Sequence, residues 1–127
     1  MKRIEGSSRE VCEATEFLAI VTEGDDGPHV VGNWGDYMRA LGINEDTLVL
    51  PAGRYHQTER NLEKNNRIQL LVASKNVQGT RTPGQGCLIV GTARIVSSGD
   101  TFETVKAQFP WARGALVIDV EEVKAQL

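Results

Sequence analysis

TLVLPAGRYHQTERN, residues 47–61, decides how the rest of the chain is read. An apolar run suited to a strand meets Pro51 and Gly53, and the polar stretch that follows opens a helix whose first turn carries Thr58. A strand-to-helix junction of this kind leaves backbone N–H groups without intrahelical partners beside the positive end of the helix dipole. That is a seat for an anion, phosphate foremost. The plainer alternative is that Pro51 and Gly53 only turn the chain.

Working outward, the helix after the junction is expected to end near Asn65, with Leu62 on the same face as Thr58. Upstream, Ser7 and Glu10 have capping-box spacing, predicting a helix over 8–15. Residues 17–22 and 29–34 read as two strands joined by a tight turn containing the Asp26-Gly27 step. Residues 37–41 fit either a strand or a helix turn, and a second hairpin leading into residues 48–50 is the better fit.

Downstream, residues 67–73 and 87–96 predict strands flanking a polar, glycine-rich loop over 79–86. Asp100 and Glu103 are placed to cap a short helix ending near Gln108, and residues 115–120 read as the last strand. Short strands joined mostly by tight turns, with helices inserted singly, point to a mainly β chain built as an antiparallel barrel. The run over 17–21 lacks polar alternation, which suggests burial on both faces, and a partner subunit is one way to cover the second.

At 127 residues the chain suits one domain, 1–127, with a core of its own. A net charge of -3 without any dense basic run argues against nucleic acid or anionic lipid as the main partner. The two cysteines, Cys12 and Cys87, have neither metal-ligand spacing nor the density of a disulfide scaffold, and read as free thiols in a reducing compartment. The N-terminus lacks an apolar stretch of signal-peptide length and no run has the length of a membrane span, so the expected location is cytoplasmic.

The two histidines, His29 and His56, have no acid and nucleophile in a familiar order, which sets a hydrolytic triad aside, and a metal site is weakly supported. Neither the Rossmann nor the Walker glycine pattern occurs, so a phosphate site must use the junction. There Thr58 offers a hydroxyl, His56 and Gln57 offer ring and amide hydrogens, and Arg54 or Arg60 adds charge. Trp34 and Trp111 read either as packing residues or as flanks of a planar ring.

Four blocks now stand in order: GDDGPHVVGNWGDY, LVLPAGRYHQTERN, TPGQG followed by CLIVG, and FPWARGALVI. With them the chain resembles the small FMN-binding proteins of sulfate-reducing bacteria, split-barrel flavoproteins related to pyridoxamine-phosphate oxidase. The resemblance covers residues 17–127 with little change in spacing. It implies a six-stranded antiparallel split β-barrel of Greek-key type with short helices, forming a homodimer that holds FMN near its interface.

The family's phosphate-binding block falls on Gly53, His56, Gln57, Thr58 and Glu59, with Gln57 standing where the family has lysine. The missing charge then falls to Arg54 or Lys75, or FMN binds more weakly. Asn33 and Trp34 match a polar residue and a tryptophan at the flavin, and Pro51, Ala52 and Gly53 match backbone that meets the isoalloxazine edge. Ser74 and Gly86 are further implied cofactor contacts, while Trp111 and Leu127 resemble residues that reach the flavin of the opposite subunit. Gly32 departs from the pattern, which carries asparagine there.

The implied function is a small electron-transfer protein with a redox partner. An enzymatic alternative is a flavin reductase or oxidase using a nicotinamide or another small molecule. A haem carrier with His56 as axial ligand stands behind both.

Overall fold

The computed structural model describes residues 2–127. Its elements run α1 (Ser7–Ala14), β1 (Phe17–Gly24), β2 (Gly27–Trp34), α2 (Gly35–Ala40), β3 (Thr47–Ala52), α3 (His56–Lys64), β4 (Arg67–Gln78), β5 (Pro83–Val96), α4 (Asp100–Gln108) and β6 (Gly114–Ala125). The six strands form one sheet in the order β2-β1-β4-β5-β6-β3, with every neighbouring pair antiparallel. This is the split barrel the sequence led us to expect.

The sheet curls around a core of Leu18, Ile20, Leu48, Leu50, Ile68, Leu70, Ile89, Leu116 and Ile118, each at most 1% exposed. Burial along β1 alternates strictly, with Leu18, Ile20 and Thr22 inside. The apolar residues between them, Phe17, Ala19 and Val21, hid that period in the sequence. Within one chain only one face of β1 is buried, so the expectation of two buried faces is not met by the chain alone.

Several boundaries differ from the sequence reading for identifiable reasons. Residues 35–40 form helix α2, because Gly35 N–H donates to Glu16 O at 2.9 Å and Met38 turns fully into the core. No second hairpin forms there: β3 pairs instead with β6, from Thr47↔Asp119 to Ala52↔Gly114. β5 begins at Pro83, so only residues 79–82 remain as loop. Gln85 permits this by accepting, through its buried Oε1, from the N–H groups of Gly86 (2.8 Å) and Leu127 (3.1 Å).

β6 continues to Ala125 with Val123 inside, past a bulge opposite Val90 and Gly91. Neither expected capping box forms. α1 starts from Gly6 and α4 from Gly99, both at positive φ, without side-chain caps. Ser8, in place of Ser7, donates to Glu5 O and accepts from Glu5 N–H.

The open edges of the sheet, β2 and β3, are joined by side chains instead of a backbone ladder. Asn33 Nδ2 donates to Pro51 O at 3.2 Å, and Tyr55 Oη donates to Gly32 O at 2.6 Å. Pro51 has no N–H to give a ladder, which suits it to this edge. Burial pushes the Tyr55 hydroxyl up from 10.0 to about 12.

The protonated phenol is therefore the form the fold prefers. Its contribution is complete below pH 10, the unfolded value, and fades as pH rises toward 12. Tyr55→Phe is expected to lower stability by about 1 kcal/mol at neutral pH and to flatten the alkaline fall in stability. Urea denaturation at pH 7 and across the alkaline range measures both, and an unchanged alkaline slope would show that Tyr55 does not titrate with folding.

Candidate functional site

The junction is built by a conformational exception. Tyr55, the residue before α3, sits at φ +65° and ψ 29°, in the left-handed region that a bulky side chain rarely occupies. The turn it makes lies between the end of β3 and the start of α3. The first α3 amide with a helical acceptor is that of Glu59, bonded to Tyr55 O at 2.8 Å. The N–H groups of His56, Gln57 and Thr58 therefore precede the helical ladder.

Thr58 lies in this first turn with its side chain fully buried, on the same face as Leu62. Its Oγ1 has no hydrogen-bond partner in the protein. Buried hydroxyls are normally satisfied, so this one is an open valence at the head of the helix. Gln57 is already committed: its Nε2 donates to Asn61 Oδ1 at 2.7 Å, and its Oε1 accepts from Arg60 at 2.9 Å. Asn61 in turn donates to Thr22 Oγ1, tying α3 to β1.

Above the split between β2 and β3 lies a cleft of about 500 Å³ lined mainly by Phe17, Asn33, Trp34, Tyr37, Gly53, Arg54 and Trp111. Its walls are aromatic. Trp34 meets Phe17 edge-on at 5.7 Å, while Tyr37, Phe109 and Trp111 form a second cluster with centroids 4.9 to 5.8 Å apart. Trp34 and Trp111 are still half exposed, at 50% and 52%. Exposed indoles are unusual without a ligand or partner to cover them.

Glycine leaves room for an aromatic ring at two points of this cleft. The Trp111 ring lies 3.0 Å from where a Cβ on Gly53 would stand, and the Phe17 ring fills the corresponding space at Gly32. An asparagine at position 32 would collide with Phe17. The Gly32 carbonyl accepts from Tyr55 Oη at 2.6 Å.

The structure thus brings Asn33, Trp34, Pro51, Gly53 and Trp111 to one cleft, with Ala52 and Thr58 buried beside the junction. Exposed His56 does not line it, nor does Gln57, which borders a depression under the β1–β2 turn. Ser74, Gly86 and Leu127 form a second group. Ser74 pairs with Gln85 in register, and Leu127 Cδ1 stands 3.6 Å from the Cβ position of Gly86. Lys75 packs at Gly84 in that second group, whereas Arg54 lines the cleft.

Sequence reasoning did not single out Phe17, Tyr55 or Arg113 for the site. Tyr55 carried no signal, since only the tertiary bond to Gly32 explains its left-handed backbone. Arg113 stood in the FPWARG block beside Trp111 and was legible there as a neighbour of a site residue.

Three comparisons bear on this geometry. The family model described as pyridoxamine 5'-phosphate oxidase matches residues 4–127. A protein of Nitratidesulfovibrio vulgaris Miyazaki F, named FMN-binding protein, is 39% identical over 122 residues, spanning 96% of this chain and 98% of that one. Among solved structures, HupZ of Group A Streptococcus superposes with a TM-score of 0.74 at 20% identity, covering 92% of this chain and 91% of the other. An FMN-binding protein of Syntrophomonas wolfei gives 0.67 at 12% identity, over 95% and 84% of the two chains. The solved structures speak for the fold alone, and the family model and the Nitratidesulfovibrio relative for descent: the chain belongs to the pyridoxamine 5'-phosphate oxidase family.

Proposed function

We propose that this chain binds FMN and carries electrons as a homodimer. The observation that carries the reading is the buried, unpartnered Thr58 Oγ1 beside the free N–H groups of His56, Gln57 and Thr58. A phosphate monoester accepts from such donors and is further favoured by the helix dipole. The aromatic cleft beyond Gly53 has the shape and apolar character for a planar ring system. The name of the Nitratidesulfovibrio relative supports the same cofactor.

Bound flavin supplies the redox chemistry. The protein's part is to grip the phosphate with Thr58, to hold the ring between Trp34 and Trp111, and to leave one edge open for exchange. Asn33 and the backbone over 51–53 orient the polar edge of the ring. Two free, buried thiols suit a reducing cytoplasm.

The dimer rests on a face that the chain leaves open. On the outer side of the sheet Gly32, Ala19, Leu71 and Leu88 follow one another across β2, β1, β4 and β5. Phe17, Val30, Trp34 and Leu71 on this face are 46 to 61% exposed. A second copy seated there covers the row and can bring its own Ser74, Gly86 and Leu127 toward the cleft. Leu71→Lys is expected to yield monomer by light scattering, and a persistent dimer would move the interface elsewhere.

A second reading, a reductase or oxidase, is favoured by a groove of about 500 Å³ that shares Trp34 and Tyr37 with the cleft and adds Glu16, Asp36 and Arg39. It offers a small substrate room beside the ring. NADH or NADPH oxidation by the FMN-loaded protein at a rate above that of free FMN would establish it, and a rate no higher would remove it.

The cofactor assignment is tested by the absorbance of the purified protein and by FMN titration. A colourless protein with no saturable FMN binding would end it. Thr58→Ala is expected to weaken FMN by about tenfold and riboflavin hardly at all, since a hydrogen bond to a charged partner is lost only for FMN. Equal losses for the two ligands would separate Thr58 from the phosphate.

A further inference from the structure

Gln57 cannot supply the charge of a lysine at the phosphate: its amide is neutral, with Nε2 donating to Asn61 and Oε1 accepting from Arg60. A dianion held by hydroxyl and N–H groups alone lacks a formal countercharge. We propose that Arg113 supplies it, and that this arginine is what makes the site prefer a phosphorylated flavin to an unphosphorylated one. The inference rests on the FMN reading above and adds a residue to it.

Arg113 immediately precedes β6 and binds the junction at three points. Its backbone N–H donates to Ala52 O at 2.9 Å, its Nε to Arg54 O at 2.8 Å, and its Nη1 to Glu59 Oε1 at 3.0 Å. Ala52 and Arg54 lie before α3 and Glu59 lies in its first turn, so the guanidinium is laid against the segment that carries the open helix end. Its remaining nitrogen, Nη2, is buried and has no partner.

Two buried side-chain atoms among the described residues lack a hydrogen-bond partner, and both belong to this junction: Arg113 Nη2 and Thr58 Oγ1. One is a fixed cationic donor and the other a hydroxyl. An unmet buried donor is unfavourable, and more so when charged. A tetrahedral oxyanion that accepts from both removes the two penalties together, and the planar guanidinium fork suits phosphate oxygens.

Glu59 has two opposed effects here. It orients the guanidinium through Nη1 while leaving Nη2 free, and its own charge opposes a second anion. Arg54 contributes its carbonyl to the clamp and its exposed side chain to the cleft, and Lys75 stands with Gly84 on the other group. Of these cations, Arg113 alone is both fixed to α3 and left with a buried open donor.

The test is titration of the full-length apoprotein with FMN and with riboflavin, followed by flavin fluorescence. Arg113→Gln is expected to weaken FMN by about tenfold or more while changing riboflavin by less than about threefold, the weight of one charged contact. Arg113→Lys should restore part of the difference. Equal losses for both ligands, or no loss of FMN, would overturn the proposal by leaving Arg113 a clamp for the loop. Should Arg113→Gln fail to fold, Arg113→Lys decides: it keeps the charge but loses the planar fork, so it must weaken FMN while changing riboflavin by less than about threefold, and equal losses for both ligands, or no loss of FMN, overturn the proposal. Wild-type protein that binds no FMN would instead overturn the cofactor reading itself.

Discussion

The site depends on how this barrel meets its own edges. Backbone pairing between β2 and β3 would have closed the cylinder and left no opening beside the junction. Two side-chain hydrogen bonds do the joining instead, from Asn33 to Pro51 O and from Tyr55 to Gly32 O. They hold the edges together at one end without zipping them. The aromatic cleft lies over that unzipped seam, and the strained backbone of Tyr55 is the local cost of placing its hydroxyl across it.

The same turn sets the electrostatics. Tyr55 carries the chain through a left-handed residue into α3, whose first turn holds Thr58 and, through Glu59, Arg113. The chain is mildly acidic overall, so anion affinity here must be local. Fixed amides, a buried hydroxyl and one clamped guanidinium are the local donors that we propose for it, in place of a basic patch.

Much of this was legible in the primary structure. Phe17 to Val21 read as a strand because apolar, β-prone residues crowd there, and the junction read as an anion seat because proline and glycine precede a polar first turn. Less legible was anything that hangs on a distant partner. Residues 37–41 were ambiguous between strand and helix turn, with a second hairpin the better fit, and the packing of Met38 and the bond from Gly35 to Glu16 make residues 35–40 a helix instead. Glycine-rich residues 83–86 read as loop, yet Gln85 satisfies the backbone of Gly86 and Leu127 and the strand runs through them.

The sequence by itself determined the strand content, the strand-to-helix junction with Thr58 in its first turn, and the family resemblance across four blocks. Those are local patterns, set by side-chain periodicity and turn chemistry within a few residues. The tertiary structure decided which edges stay unpaired, which of the proposed residues share a cleft, and that Arg113 reaches the junction. Such facts rest on contacts across wide gaps in sequence, as from Arg113 to Glu59 and from Asn33 to Pro51, and no local pattern encodes a contact whose partner lies on another strand.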